Sequence, residues 1–171
     1  MITEAKNLLE RIIKSRVPGI AVVRSFADEK HAITARTLPF VALVTKAGTF
    51  DGTTAQTVRY FDEKKEYQQR YVRGDRNIPI QIRCWAEKEE EADRIFSRII
   101  PAIPSQWEYD GFARHIEIEW EEHSDSVKVV EKRYLSVAQV KFSVAAAMEP
   151  GEVPYFKEVV LEEGEIINQE G

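Results

Sequence analysis

Two histidines and three glutamates alternate along residues 115–123: His115, Glu117, Glu119, Glu121 and His123. On an extended strand every second side chain shares a face, so this row carries the ligand types of a zinc or other transition-metal site. Spacing argues against one. At about 3.3 Å per residue the two histidines stand ~26 Å apart, and only i, i+2 neighbours can share an ion. Further ligands would have to come from a neighbouring strand that the sequence does not identify. The row reads instead as a solvated strand face whose Glu117, Glu119 and Glu121 form an acidic surface. A small metal-dependent enzyme or ligand-binding domain built on this face is the competing reading.

Cys84 is the second candidate, as a nucleophile with His31, His115 or His123 as its base. It shares a period-2 row with Ile78, Ile80 and Ile82, which predicts a buried thiol, and no basic cluster adjoins it to favour the thiolate. Arg73-Gly74-Asp75 spells an adhesion tripeptide. Met1–Lys6 has no basic region leading into an apolar core, so no secretion is expected and the tripeptide reads as a turn. No phosphate loop, dinucleotide fingerprint, nucleophile elbow or zinc-protease helix occurs. Trp85, Trp107 and Trp120 read as packing or interface residues. No catalytic residue, metal or cofactor is expected.

The totals agree with a protein that acts by contact. The 171 residues carry a formal charge of −5, against the basic patch expected of a nucleic-acid binder. A single cysteine excludes an intrachain disulfide. No apolar run approaches the roughly 20 residues of a membrane helix, so no membrane partner is expected.

These residues must be positioned by a small set of elements. Ala5, Leu8, Leu9, Ile12 and Ile13 form one stripe of a helix that Thr3 would cap and Val17-Pro18-Gly19 would stop. Residues 20–26 and 32–36 read as two runs about a polar turn at Asp28-Glu29-Lys30. Phe40–Val44 is a buried strand, and Gly48–Thr57 a flexible loop. Val58–Phe61 and Tyr67–Arg73 flank a charged turn as a polar hairpin, and Arg59, Tyr60, Tyr67, Arg70, Tyr71 and Arg73 are the candidate residues of a projecting arm. Ile78–Trp85 is the clearest strand. Glu87 and Glu89–Glu91 open a second helix with the stripe Ala92, Ile95, Phe96, Ile99 and Ile100, stopped by Pro101 and Pro104. Glu108–Gly111 is a turn, 115–123 alternates with Ile116, Ile118 and Trp120 on one face, and Tyr134–Ala147 is a last long strand.

The fold class expected is α+β: a mixed or antiparallel sheet of four or more strands packed with two amphipathic helices, plus a projecting β-hairpin and an extended C-terminal tail. Residues 1–148 form the domain, with the arm at about 57–74. Residues 149–171 form the tail, with Tyr155, Phe156, Val159 and Leu161 as its candidate contacts.

The run Arg76-Asn77-Ile78-Pro79-Ile80-Gln81-Ile82-Arg83-Cys84-Trp85-Ala86, leading into Glu89-Glu90-Glu91-Ala92-Asp93-Arg94-Ile95, resembles the tail-terminator and tail-completion proteins of tailed bacteriophages. Trp107, Asp110-Gly111 and Ile116-Glu117-Ile118-Glu119 continue the likeness. It extends over residues 1–147 in element order and 76–120 in residue pattern. The resemblance implies a virion structural protein, assembled in the host cytoplasm. It would form a hexameric ring at the end of the tail tube, stop tail assembly and join tail to neck or head. Its partners would be copies of itself and tube, sheath, neck or head-completion proteins, with DNA only as passing cargo. On that reading Glu117, Glu119 and Glu121 face the lumen or a partner. A head–tail connector or neck-completion protein is the neighbouring alternative, and an interaction module of unrelated origin a blander one.

Overall fold

In a computed structural model of the chain, the described residues are 1–35, 37–61, 67–109, 112–125 and 133–148. Helix α1 (Ile2–Arg16) buries Ala5, Leu9 and Ile13. It begins one residue before Thr3, so Met1 rather than Thr3 takes the N-cap position, with no side-chain cap. Lys14 and Arg16 close it at the negative end of its dipole. Helix α3 (Glu89–Ile99) buries Ala92, Ile95, Phe96 and Ile99, with Glu89, Glu90 and Glu91 in its first turn. A 3₁₀ turn over Ile100–Ala102 ends it where Pro101 cannot supply a helical N–H.

Seven strands form one sheet among the described residues: β1 (Ala21–Val23), β2 (Phe40–Thr45), β3 (Thr49–Phe61), β4 (Tyr67–Ala86), β5 (Gln106–Tyr109), β6 (Phe112–Asp125) and β7 (Tyr134–Met148). The order is β1-β2-β4-β7-β6-β5, with β3 paired to β4 as well. Among these described strands only β1 and β2 run parallel, and the other neighbours are antiparallel pairs. The fold is a mixed sheet packed with helices, as the sequence predicts at that level.

Strand β4 organises the sheet. Over its 20 residues one edge pairs with β7 from Tyr71↔Met148 to Ala86↔Tyr134. Its other edge is shared: β2 takes Ile80–Trp85 and β3 takes Tyr67–Asn77. One face carries Ile78, Ile80, Ile82 and Cys84 beside Val140, Phe142, Val41 and Leu43, all packed under α1 and α3 in the main core. Each of the buried Ile, Val, Leu and Phe side chains contributes roughly 1.5–3 kcal/mol. The opposite face is covered at one end by helix α2 (Phe26–Thr34), where Phe40, Ala42, Val44, Trp85 and Ala32 make a second, smaller core.

Four sequence expectations are corrected. The polar turn at Asp28-Glu29-Lys30 lies inside α2, which also takes in residues 32–34 of the second expected run. Ser25 caps this helix: its Oγ accepts from the Asp28 N–H at 3.0 Å, and its hydroxyl donates to the Asp28 carboxylate at 2.6 Å. Among the described residues there are thus three α-helices, not two. Residues 49–57, expected as a loop, belong to β3, held by its ladder to β4 rather than by any hydrophobic pattern of its own. Arg73-Gly74-Asp75 is not a turn, because β4 continues through it. Finally, Glu108 and Tyr109, expected in a turn, end β5, and the pair Tyr109↔Phe112 brackets residues 110–111.

Gly74 marks an irregularity on both edges of β4. Register shifts between Gly52 and Gln56 toward β3, and between Val72 and Asp75 toward β7. Its φ is 153°, and a Cβ there would lie 2.3 Å from the Asp51 carbonyl oxygen. Only glycine fits so close an approach. Bulges bend a strand and increase its twist. Beyond this point Tyr67–Arg70 have β3 as their sole strand partner among the described residues.

Candidate interaction surface

Three strands assemble the open part of the sheet, on the face away from α1 and α3. The register Glu117↔Lys141↔Pro79 sets Glu117 beside Lys141, and Gln139 pairs with Gln81. Lys141 Nζ stands 2.6 Å from Glu117 Oε2 and 3.4 Å from Glu119 Oε1. Gln139 Nε2 donates to Glu119 Oε2 at 2.7 Å, and Gln81 Nε2 donates to Gln139 Oε1 at 3.3 Å. The result is a polar relay across β4, β7 and β6. The hydrogen bond from Lys141 holds the Glu117 carboxyl below its ordinary range. In return Glu117, and then Glu119, raise Lys141.

This geometry corrects the acidic row. The register shifts between Ile118 and Trp120, where Ile118 pairs with Val140 but Trp120 with Gln139. The extra residue reverses the alternation. Trp120 joins Glu117 and Glu119 on the open face and is 37% exposed. Glu121, opposite Ala138, and His123, opposite Ser136, move to the helix-covered side of the sheet. His123 Nδ1 lies 2.9 Å from Ser136 Oγ, and its ring meets Phe96 of α3 edge-on at 5.7 Å. Glu117, Glu119 and Glu121 therefore do not form one surface, and a lysine bridges the two that do. Sequence spacing carries no sign of the bulge, since the residues alternate strictly through it. His115, opposite Ser143, stays with Glu117. No three His, Cys, Asp or Glu side chains converge in a metal-holding arrangement among the described residues.

Cys84 is fully buried in the main core, with its thiol pushed up to about 12, chiefly by desolvation and secondarily by Glu91. A thiol so placed is a packing residue. Trp85 is buried, and Trp107 meets Phe142 edge-on at 5.4 Å.

Sequence reasoning missed a buried polar group. Glu29 on α2 is 1% exposed, and its Oε1 accepts from the Trp85 indole N–H at 2.7 Å. Arg83 Nε stands 3.1 Å from the same oxygen at ion-pair distance, without aligning its N–H for a hydrogen bond. The available signal was Ser25-x-x-Asp28, which announces a helix start and so places Glu29 on the helix.

At the base of the β3/β4 ladder, Asn77 bonds to three side chains on two strands. It donates to Asp51 Oδ2 at 2.6 Å and Thr49 Oγ1 at 3.4 Å, and accepts from Ser143 Oγ at 2.7 Å. Of the predicted arm, Arg73 is exposed. The side chains of Arg59, Tyr60, Tyr67, Arg70 and Tyr71 lie outside the described residues, as do the tail residues Tyr155, Phe156, Val159 and Leu161. No protein-family model matches the chain, and no curated protein matches it either.

Proposed function

We propose that this chain is a structural virion protein that closes into a ring, of six copies on the family pattern, at the end of a phage tail tube. There it ends tail polymerisation and joins the tail to the neck or head. The reading rests on the resemblance carried by residues 76–120. The observation that supports it best is the span of β4, whose outer residues pair with β3 beyond the double irregularity at Gly74. A two-stranded arm leaving the sheet there, together with a C-terminal tail, would clasp the next copy, since unpaired strand edges are natural templates for another chain. Head-to-tail contacts of this kind close into a ring when the rotation from copy to copy closes.

The open face suits this role as a partner-facing surface. Glu117 and Glu119 share Lys141, so the face is a mixed-charge relay with Trp120 at its margin rather than a repulsive wall. Aromatic residues set in a polar rim are the usual anchors of protein interfaces.

The test is native mass spectrometry of the full chain, alone and mixed with purified tail tubes, followed by negative-stain imaging. A closed ring is expected. Replacing residues 57–72 by Asn-Gly should release single copies whose far-ultraviolet circular dichroism is retained. A chain that stays monomeric at high concentration and leaves tubes uncapped would overturn the proposal. Rings that join neck proteins but do not stop tube growth would select the connector role.

A further inference from the structure

The helix layer stops before the sheet does. Where α1 begins and β4 continues toward residue 74, a groove of about 260 Å³ opens, lined among others by Ile2, Lys46, Phe50, Arg76 and Ile78. Two of the large apolar side chains exposed among the described residues flank it: Phe50 at 57% and Ile2 at 38%. Its charge is basic. Neither Lys46 nor Arg76 has an ion-pair partner among the described residues, and the nearby Asp51 carboxylate is engaged by Asn77. An apolar floor under unpaired cations calls for an acidic, aromatic occupant.

The chain itself supplies one. Met148, the last described residue, pairs with Tyr71, while Val144 pairs with Arg76 in the groove wall. The described chain therefore ends four residues past the groove, ~13 Å along the strand and one strand spacing of about 4.8 Å to the side. Residues 149–171 hold seven glutamates against one lysine, and within them stands Glu152-Val-Pro-Tyr-Phe-Lys-Glu-Val-Val-Leu161. A return of about four residues would bring this stretch to the groove. We propose that residues 152–161 dock there, placing Tyr155 or Phe156 against Ile2 and Phe50, with Glu152 and Glu158 toward Lys46 and Arg76. This inference does not depend on the ring.

A photocrosslinking experiment on the full chain tests it: Phe50→p-benzoylphenylalanine, irradiation, and peptide mapping. Adducts on 152–161 are expected. Lys46→Glu with Arg76→Glu should cut their yield roughly fivefold, on the order of two lost exposed charge contacts. Adducts confined to other peptides, in a map that covers 149–171, would overturn the docking. Mixing isotopically heavy and light chains shows whether the segment comes from the same copy or a neighbour; either origin sustains the groove assignment. Native mass on the same samples separates this test from the ring. Tail adducts in a monomer would sink the ring alone, and rings without tail adducts would sink the docking alone.

Discussion

The Trp85 indole N–H donates to the Glu29 carboxylate at 2.7 Å, joining α2 to the central strand across 56 residues. Both residues are buried, and Arg83 stands beside them. Removing one member of such a group strands the others away from water. Glu29→Ala is expected to cost about 3 kcal/mol of unfolding free energy. Glu29→Gln, which keeps an acceptor for Trp85, should cost less. Urea unfolding followed by tryptophan fluorescence measures both, and equal losses would show that the indole bond does not matter.

Glu117 should titrate below an ordinary glutamate, because Lys141 donates to it. Its folded value is depressed, so its stabilising contribution is present above the unfolded value, near 4.3, and is lost as pH falls through the folded one. Lys141 shifts upward, so its contribution is present below the unfolded value, near 10.4, and is lost as pH rises through the folded value. Carboxyl carbon NMR titration of the wild type and Lys141→Gln checks this. The variant should return Glu117 toward its ordinary range.

The Cys84 thiol, at about 12 and buried, should not react with an aromatic disulfide reagent at pH 8 until the core opens. The rate of labelling should rise with urea in step with global unfolding. Fast labelling of the native chain would mean that the sheet breathes beneath α3.

Gly74→Ala drives a Cβ into the Asp51 carbonyl and enforces a φ that L-residues rarely adopt. We expect a loss of about 2 kcal/mol. Hydrogen exchange should rise first at residues 49–52 and 72–77, while the ladder between β2 and β4 stays protected. A uniform rise would show that the bend is an integral part of the core.

Ser25→Ala removes the cap of α2 and should cost about 1 kcal/mol, with Ser25→Thr close to neutral. Thermal melts of the two variants decide it.

What the sequence made legible follows from where each element gets its stability. Helices α1 and α3 bury apolar stripes with helical spacing, so Leu9, Ile13, Ile95 and Phe96 could be read directly. Helix α2 buries only Glu29 and Ala32, a charge and a methyl, and leaves Phe26 62% exposed; no apolar stripe remains to be read. Strand β3 owes its form to its β4 ladder, a long-range pairing that the local Gly and Thr content conceals. The bulge after Ile118 is also tertiary, because only the pairing with β7 makes the alternation slip. Thus the acidic residues were correctly seen as exposed, but their shared face was not a property of the strand alone.

The long ladder between β4 and β7 also has a mechanical meaning. A tug on the outer end of β4 acts along the strand, so its many cross-strand bonds resist sliding together instead of peeling apart singly. The traction would pass through Ile78, Ile80 and Ile82 into the body of the molecule. Whatever grips that end is therefore anchored to a strand whose Ile80 and Ile82 lie wholly inside the main core, and the hold should give way only when the whole domain does.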